Sequence, residues 1–185
     1  RFDGTIVDPS CGSGRIVRAA RQWRRAEYAR LTGGGTGSTA AYGPVLGYDI
    51  VKRGVECHDD TEDFLLTDYE TDNIVSNPPF SLCNKHKKGT IWADFAYVKK
   101  ALETASKKVA LLLPLSWMTG ADKGRYLATT PLTRVLILTP RPSMPPGPVI
   151  EAGEKPGGGI EDFAWFIWDH AHKGEPTLGW LDRDI

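Results

Sequence analysis

The chain has 185 residues, of which 41% are hydrophobic and 25% charged, and no net charge at pH 7. That length suits one domain with a real core, the composition excludes a disordered or fibrous chain, and the balanced charge excludes the bulk basicity common among nucleic-acid binders. Three cysteines (Cys11, Cys57 and Cys83) argue against a disulfide framework and for a reducing, cytoplasmic setting; no apolar run nears the roughly 18 residues that span a bilayer, so no membrane partner is expected.

Gly4 to Val7 reads as a short buried strand running into Asp8-Pro9-Ser10-Cys11-Gly12-Ser13-Gly14. A helix follows from Arg15 to Leu31, with Ile16, Val17, Ala19, Ala20, Trp23 and Tyr28 as its apolar positions. Arg15, Arg18, Arg21, Arg24, Arg25 and Arg30 stand against Glu27 alone, and a solvated helix face is the plain reading of that run. Thr32 to Thr39 is a flexible loop by composition, and Val45 to Ile50 a second strand. The segment that runs to Asp63-Phe64-Leu65 is short and polar, so any strand there is brief, and acidic residues gather from Asp59 to Asp72. Asn73 to Ser76 is a strand ending on Asn77-Pro78-Pro79-Phe80. Ala93 to Ser106 predicts a helix with Phe95, Val98, Ala101 and Leu102 on one face, and Val109 to Leu113 an apolar strand of the kind buried on both sides in a parallel sheet. A short helix is predicted over Ala121 to Ala128 and a strand over Arg134 to Leu138. A long irregular loop rich in Pro and Gly spans Pro140 to Gly159, and a last strand covers Phe163 to Trp168. Strands and helices alternating at this spacing imply an α/β domain with a mostly parallel sheet, spanning residues 1–185 as a single unit.

Open α/β sheets bind ligands beyond the carboxyl ends of their strands, and three chemically loaded segments fall at such ends. The turn from Asp8 to Gly14 lets a ligand approach the backbone closely, yet it matches neither G-x-G-x-x-G, since Val17 holds the third glycine position, nor a P-loop. An acid at the strand end repels phosphate and suits a cationic or amine-bearing ligand such as S-adenosylmethionine; a purely structural turn is the alternative. Asp49, ending the second strand, can accept both hydroxyls of a ribose or cap a following turn. Asp63 can accept an adenine amino group while Phe64 packs on the ring, or be a surface acid in an acidic loop. The most specific segment is Asn77-Pro78-Pro79-Phe80. Its prolines remove two N–H donors and stiffen the turn, leaving the Asn77 side-chain oxygen and the Pro78 carbonyl to hold an exocyclic amino group while Phe80 stacks on a flat base. A stiff loop capped by Phe80 is its bland counterpart.

Here the chain resembles a known family. Asp8 to Gly14 is similar to motif I, and Asn77 to Phe80 to motif IV, of the amino-methylating DNA methyltransferases, in the order of the gamma-type adenine-N6 enzymes. Arg141-Pro142-Ser143-Met144-Pro145-Pro146 with Phe163 to Trp168 resembles the end of small phage- or prophage-type domains. The resemblance covers about Thr5 to Trp168. It implies a Rossmann-like methyltransferase fold with helices on both faces of a mostly parallel central sheet. It further implies S-adenosylmethionine held by Asp8, Pro9, Ser10, Cys11, Gly12, Gly14, Asp49, Ile50, Asp63, Phe64 and Asn77, and catalysis at Asn77, Pro78, Pro79 and Phe80 on N6 of adenine in DNA. Ser81, Lys85, Lys87 and Lys88 follow motif IV and are candidate phosphate contacts beside Phe80, or else a solvated lysine loop.

Two departures bear on this. Four residues precede Thr5, so a family cofactor-binding segment is expected upstream of Arg1. No separate target-recognition domain is visible, so sequence selectivity would come from loops, a specificity partner or a homo-oligomer. DNA ranks ahead of RNA as substrate. Rival readings are amino-methylation of RNA adenine or guanine, methylation of a protein glutamine, and a catalytically silent binding or scaffold subunit. No metal is expected: two Cys and two His stand in Cys57-His58 and Cys83-x-x-His86, but the spacing within the first pair is wrong for a usual zinc knuckle. Cys11 is not placed as the attacking thiol of a cytosine-C5 enzyme.

Overall fold

The structure, a computed structural model, describes residues 1–33, 42–52, 55–84, 95–142 and 161–182. The chain is a mixed α/β fold with an eight-stranded, mostly parallel sheet. It consists of two compact units, Arg1–Leu111 and Leu112–Ile185.

The first unit starts with β1 (Ile6–Asp8), buried at every residue. Helix α1 (Arg15–Thr32) follows, then β2 (Val45–Asp49), β3 (Asp60–Thr61) and β4 (Thr71–Ser76). A four-residue helix α2 (Phe80–Cys83), helix α3 (Ala96–Thr104) and β5 (Ala105–Pro114) complete it, β5 running on into the second unit. The strands lie in the order β3-β2-β1-β4-β5, all parallel. From β1 the chain moves outward through β2 and β3, then returns to the other side of β1 with β4. The carboxyl ends of β1 and β4 therefore flank the point where strand order reverses, the usual ligand crevice of an open α/β sheet.

Helix α1 explains part of the arginine run differently from a solvated face. Arg24 is 2% exposed, and its guanidinium donates to the carbonyls of Gly4, Gly43 and Pro44 at the opening ends of β1 and β2. Arg21 donates to the Val45 carbonyl at 3.0 and 2.9 Å and pairs with Asp59 at 2.9 Å. Arg30 pairs with Glu27 at 2.9 Å on the exposed side. Arg15, Arg18 and Arg25 are exposed, as a solvated face requires.

The buried face of α3 is Tyr97, Val98, Ala101 and Thr104. Phe95 lies outside that helix: it is the buried N-cap, in left-handed backbone at φ 59°. Leu102 is half-buried.

The second unit holds a 3-10 turn (Leu115–Trp117), helix α4 (Ala121–Leu127), β6 (Leu132–Thr139), β7 (Phe163–Asp169) and β8 (Thr177–Asp182). β6 pairs antiparallel with β7 and parallel with β8. Trp117, Phe166 and Trp168 form its aromatic core, and the Trp168 indole N–H donates to Thr130 Oγ1 at 2.9 Å. Strand β8 was not expected from the sequence. Most of its residues are exposed, so it carries no one-sided apolar alternation. The predicted loop from Pro140 to Gly159 lies outside the described residues beyond Pro142. No helix among the described residues is long and apolar enough to cross a membrane.

Candidate active site at the carboxyl ends of the central strands

The turn after β1 is shaped by its glycines. Gly12 has φ 52° and Gly14, the N-cap of α1, φ 73°, a region that side-chain-bearing residues rarely adopt. A Cβ at Gly14 would come within 2.6 Å of Cys57 Cβ. Among the described residues, a Cβ at Gly12 would meet nothing within 4 Å, so they leave open space over the turn there. The turn is also tied to β2: Cys11 N–H donates to the Tyr48 carbonyl at 2.8 Å, and Gly12 N–H to Asp49 Oδ2 at 2.8 Å. The other Asp49 oxygen accepts Val51 N–H at 2.9 Å in a tight turn. Among the described residues no helix follows Asp49 before β3, so what Asp49 caps is this turn and not a helix.

Asp8 is 1% exposed. Its Oδ1 accepts the Ser76 hydroxyl at 2.7 Å and Ser10 N–H at 3.3 Å. Burial pushes its carboxyl up to about 7; the Ser76 and Ser10 hydrogen bonds pull the other way and the Asp49 charge adds to the rise. Near neutral pH the carboxyl thus exchanges between its two protonation states. Burial, with the charges of Asp8 and Asp49 beside it, pushes the Cys11 thiol up to about 12, so that sulfur is a small apolar group and no nucleophile.

The segments that sequence reasoning picked out converge on this edge within the first unit. Asn77-Pro78-Pro79 leaves the end of β4 with Asn77 and Pro79 exposed and Pro78 buried. Phe80, half-buried, opens α2, whose first turn closes by Leu82 N–H donating to the Pro79 carbonyl at 2.9 Å. Asp63 forms its own turn, its Oδ1 accepting Leu65 N–H at 3.0 Å. Phe64 is buried with its ring 4.9 Å from that of Tyr97. Ile50 and Leu66, 64% and 73% exposed, present apolar side chains to solvent from the segments that follow β2 and Phe64. Ser81 is exposed, and Pro9, the residue after Asp8, is buried. Lys85, Lys87 and Lys88, with His86, lie outside the described residues. Cys83 is buried in α2. Among the described residues, no group of three or more His, Cys, Asp or Glu could hold a metal ion.

Sequence reasoning missed two polar residues of this edge. Ser76 links β4 to Asp8. Tyr97, 1% exposed, places its hydroxyl 3.0 Å from Ser10 Oγ and 3.1 Å from Ser76 Oγ. The available signal was the spacing Tyr97, Ala101, Thr104, which puts a tyrosine on the buried face of a helix, where its hydroxyl needs a partner.

The architecture is the Rossmann-like one of the S-adenosylmethionine-dependent methyltransferases. At 14% identity, a Listeria monocytogenes protein assigned to the class I S-adenosylmethionine-dependent methyltransferases superimposes with a TM-score of 0.59 over 98% of this chain and 59% of its own. A modification subunit assigned to a type I restriction enzyme of Vibrio vulnificus gives 0.58 over 98% of this chain and 43% of its own, also at 14% identity. The M protein of the type I restriction enzyme EcoKI gives 0.58 at 14% identity over 100% of this chain and 45% of its own. The chain thus spans less than two thirds of the length of these neighbours. No family model matches it, and no curated protein matches it by sequence.

Proposed function

We propose that this chain binds S-adenosylmethionine and transfers its methyl group to an exocyclic amino nitrogen, N6 of adenine in DNA. The observation that carries this is the placement of the Gly12–Gly14 turn and of Asn77–Phe80 at the ends of neighbouring strands β1 and β4, where strand order reverses. The residues present fit the cofactor. Gly12 leaves open space over the turn, and Asp49, anchored to that turn, is an acceptor for ribose hydroxyls. Asp8, Pro9, Ser10, Cys11, Gly14, Ile50, Asp63 and Phe64 would complete that region. When bound, S-adenosylmethionine supplies a methyl group on a cationic sulfonium. Asn77 Oδ1 and the Pro78 carbonyl accept the two amino protons of the base and aim its lone pair. Pro79 stiffens that turn and Phe80 stacks on the ring. Positioning is the main catalytic contribution, and no general base is required, because a proton can leave after attack. A duplex target must have its base flipped, at a cost of a few kcal/mol, and aromatic stacking returns roughly 1–3 kcal/mol. Ser81, Lys85, Lys87 and Lys88 are the proposed phosphate contacts. Residues 1–185 would act as one catalytic domain in the cytoplasm, with target choice supplied by loops, a specificity partner or a second copy.

The likeness of the fold to modification subunits of restriction systems supports DNA as the acceptor. The test is transfer of a tritiated methyl group to DNA, RNA and a protein extract by the wild type and by Asn77→Ala. Label in DNA that Asn77→Ala abolishes is expected. Label in RNA or protein alone overturns the acceptor, and label unaffected by Asn77→Ala overturns the site.

A further inference from the structure

Methyl transfer in line needs its two reactants held at a fixed spacing, and displacements near 1 Å can cost about 100-fold in rate. The turns that would hold them leave β1 and β4. The ladder between these strands pairs Ile6 with Asn73 and Val7 with Ile74. Past it, toward the carboxyl ends, the connections are made by side chains. The Ser76 hydroxyl donates to Asp8 Oδ1 at 2.7 Å, and the Tyr97 hydroxyl lies 3.0 Å from Ser10 Oγ and 3.1 Å from Ser76 Oγ.

We propose that Tyr97 is a positioning residue, its hydroxyl bridging Ser10 in the glycine-rich turn and Ser76 at the base of the Asn77 turn so that the two turns keep one spacing. Its consequence for rate rests on the methyltransferase reading; the bridge itself does not. Tyr97 suits the task because it cannot drift. It lies on the buried face of α3 with Val98, Ala101 and Thr104, and its ring packs 4.9 Å from that of Phe64 at an interplanar angle of 57°. A serine hydroxyl on a strand end is short; a tyrosine hydroxyl on a separate helix reaches both strand ends from a third element. The hydrogens can be counted. With Asp8 ionised, Ser76 donates to Asp8 and Tyr97 to Ser10. With Asp8 protonated, a single chain can run from Asp8 through Ser76 and Tyr97 to Ser10, every hydroxyl donating once. The complete bridge therefore forms with Asp8 protonated; with Asp8 ionised, Tyr97 keeps its bond to Ser10 and no hydrogen is left between Tyr97 and Ser76.

The test compares wild type with Tyr97→Phe, which keeps the ring and its packing. Amide hydrogen exchange without ligand is expected to quicken at both Ser10–Gly12 and Asn77, and not at Val109–Leu111. Calorimetric titration should find the Kd for S-adenosylmethionine changed by less than about 3-fold, while kcat on the accepted substrate falls about 10-fold or more. Quickening at one turn only or at neither, or an unchanged kcat, overturns the proposal. If the variant does not fold, Ser10→Ala removes the same contact from the other end and carries the same expectations for hydrogen exchange at Asn77 and for kcat, with no expectation for the Kd because Ser10 also belongs to the proposed cofactor region. A wild type that takes up S-adenosylmethionine but methylates neither DNA, RNA nor protein overturns the functional reading instead, and the exchange comparison still decides whether Tyr97 bridges the turns.

Discussion

Asp49 Oδ2 accepts the Gly12 N–H at 2.8 Å, so the acid at the end of β2 and the turn after β1 form one piece. Asp49→Ala removes both this tie and the proposed ribose acceptor. A hydrogen bond to a charged group contributes roughly 1.5–3 kcal/mol, so a clear drop in Tm is expected. Loss of the ribose contacts should add at least about 10-fold to the Kd for S-adenosylmethionine, equivalent to about 1.4 kcal/mol. Titration calorimetry beside thermal melts checks both, and a variant with lowered Tm but wild-type Kd would reduce Asp49 to a structural role.

The glycines separate the two halves of that argument. Gly14→Ala combines left-handed backbone with a Cβ placed 2.6 Å from Cys57 Cβ, so it should lose stability beyond the roughly 1–2 kcal/mol of the conformation alone. Gly12→Ala carries only the conformational cost, because its Cβ meets nothing within 4 Å. It should fold, yet bind S-adenosylmethionine more weakly, since the methyl occupies the space proposed for the ligand. Equal affinity in Gly12→Ala and wild type would place the cofactor elsewhere.

The buried carboxyl of Asp8 predicts a pH dependence of stability. Its folded value near 7 exceeds the ordinary 3.8, so the native state binds the proton more tightly than the unfolded chain. The associated stabilisation is complete below the unfolded value and is lost as pH rises through the folded one. Asp8→Asn keeps an acceptor for Ser76 and cannot ionise. Across the window from 3.8 to about 7, wild type should lose stability relative to Asp8→Asn by up to about 1.4 kcal/mol per pH unit. Denaturant melts at stepped pH read this directly; a difference that stays flat would contradict it.

Asn77 is exposed, so Asn77→Ala should leave the melt within about 0.5 kcal/mol of wild type. Removing one group that holds the reacting atoms typically costs about 100- to 1,000-fold in kcat. Single-turnover transfer with saturating S-adenosylmethionine isolates that loss, and a fall confined to KM would assign Asn77 to substrate affinity alone.

The elements that the sequence made plain are those whose signal is local. The apolar run at Val109–Leu113 and the strand before Asn77 needed no partner to be read, although the latter begins earlier, at Thr71. Asn77 to Phe80, Asp49 and the glycine turn carry their chemistry in their own residue types and fall together at one sheet edge. What escaped depended on remote contacts. Arg24 looks like its exposed neighbours until the Gly4, Gly43 and Pro44 carbonyls surround it. Tyr97 was hidden because Phe95, the more apolar residue, was assigned to the helix face, whereas its left-handed backbone places it ahead of the helix. α2 was hidden by the two prolines before it, since a helix of four residues is too short to show a periodicity. β8 has no buried residue and is defined by its pairing with β6.

The hydrogen bond between Ser76 and Asp8 joins residues 68 apart in the chain. Neither half of the crevice can form from a local segment, so the crevice arises only when distant parallel strands have paired, a slow class of folding event. A small molecule bridging both turns would then report on folding as much as on affinity. It binds the assembled unit alone, and its apparent protection should grow with the logarithm of its concentration once that exceeds Kd.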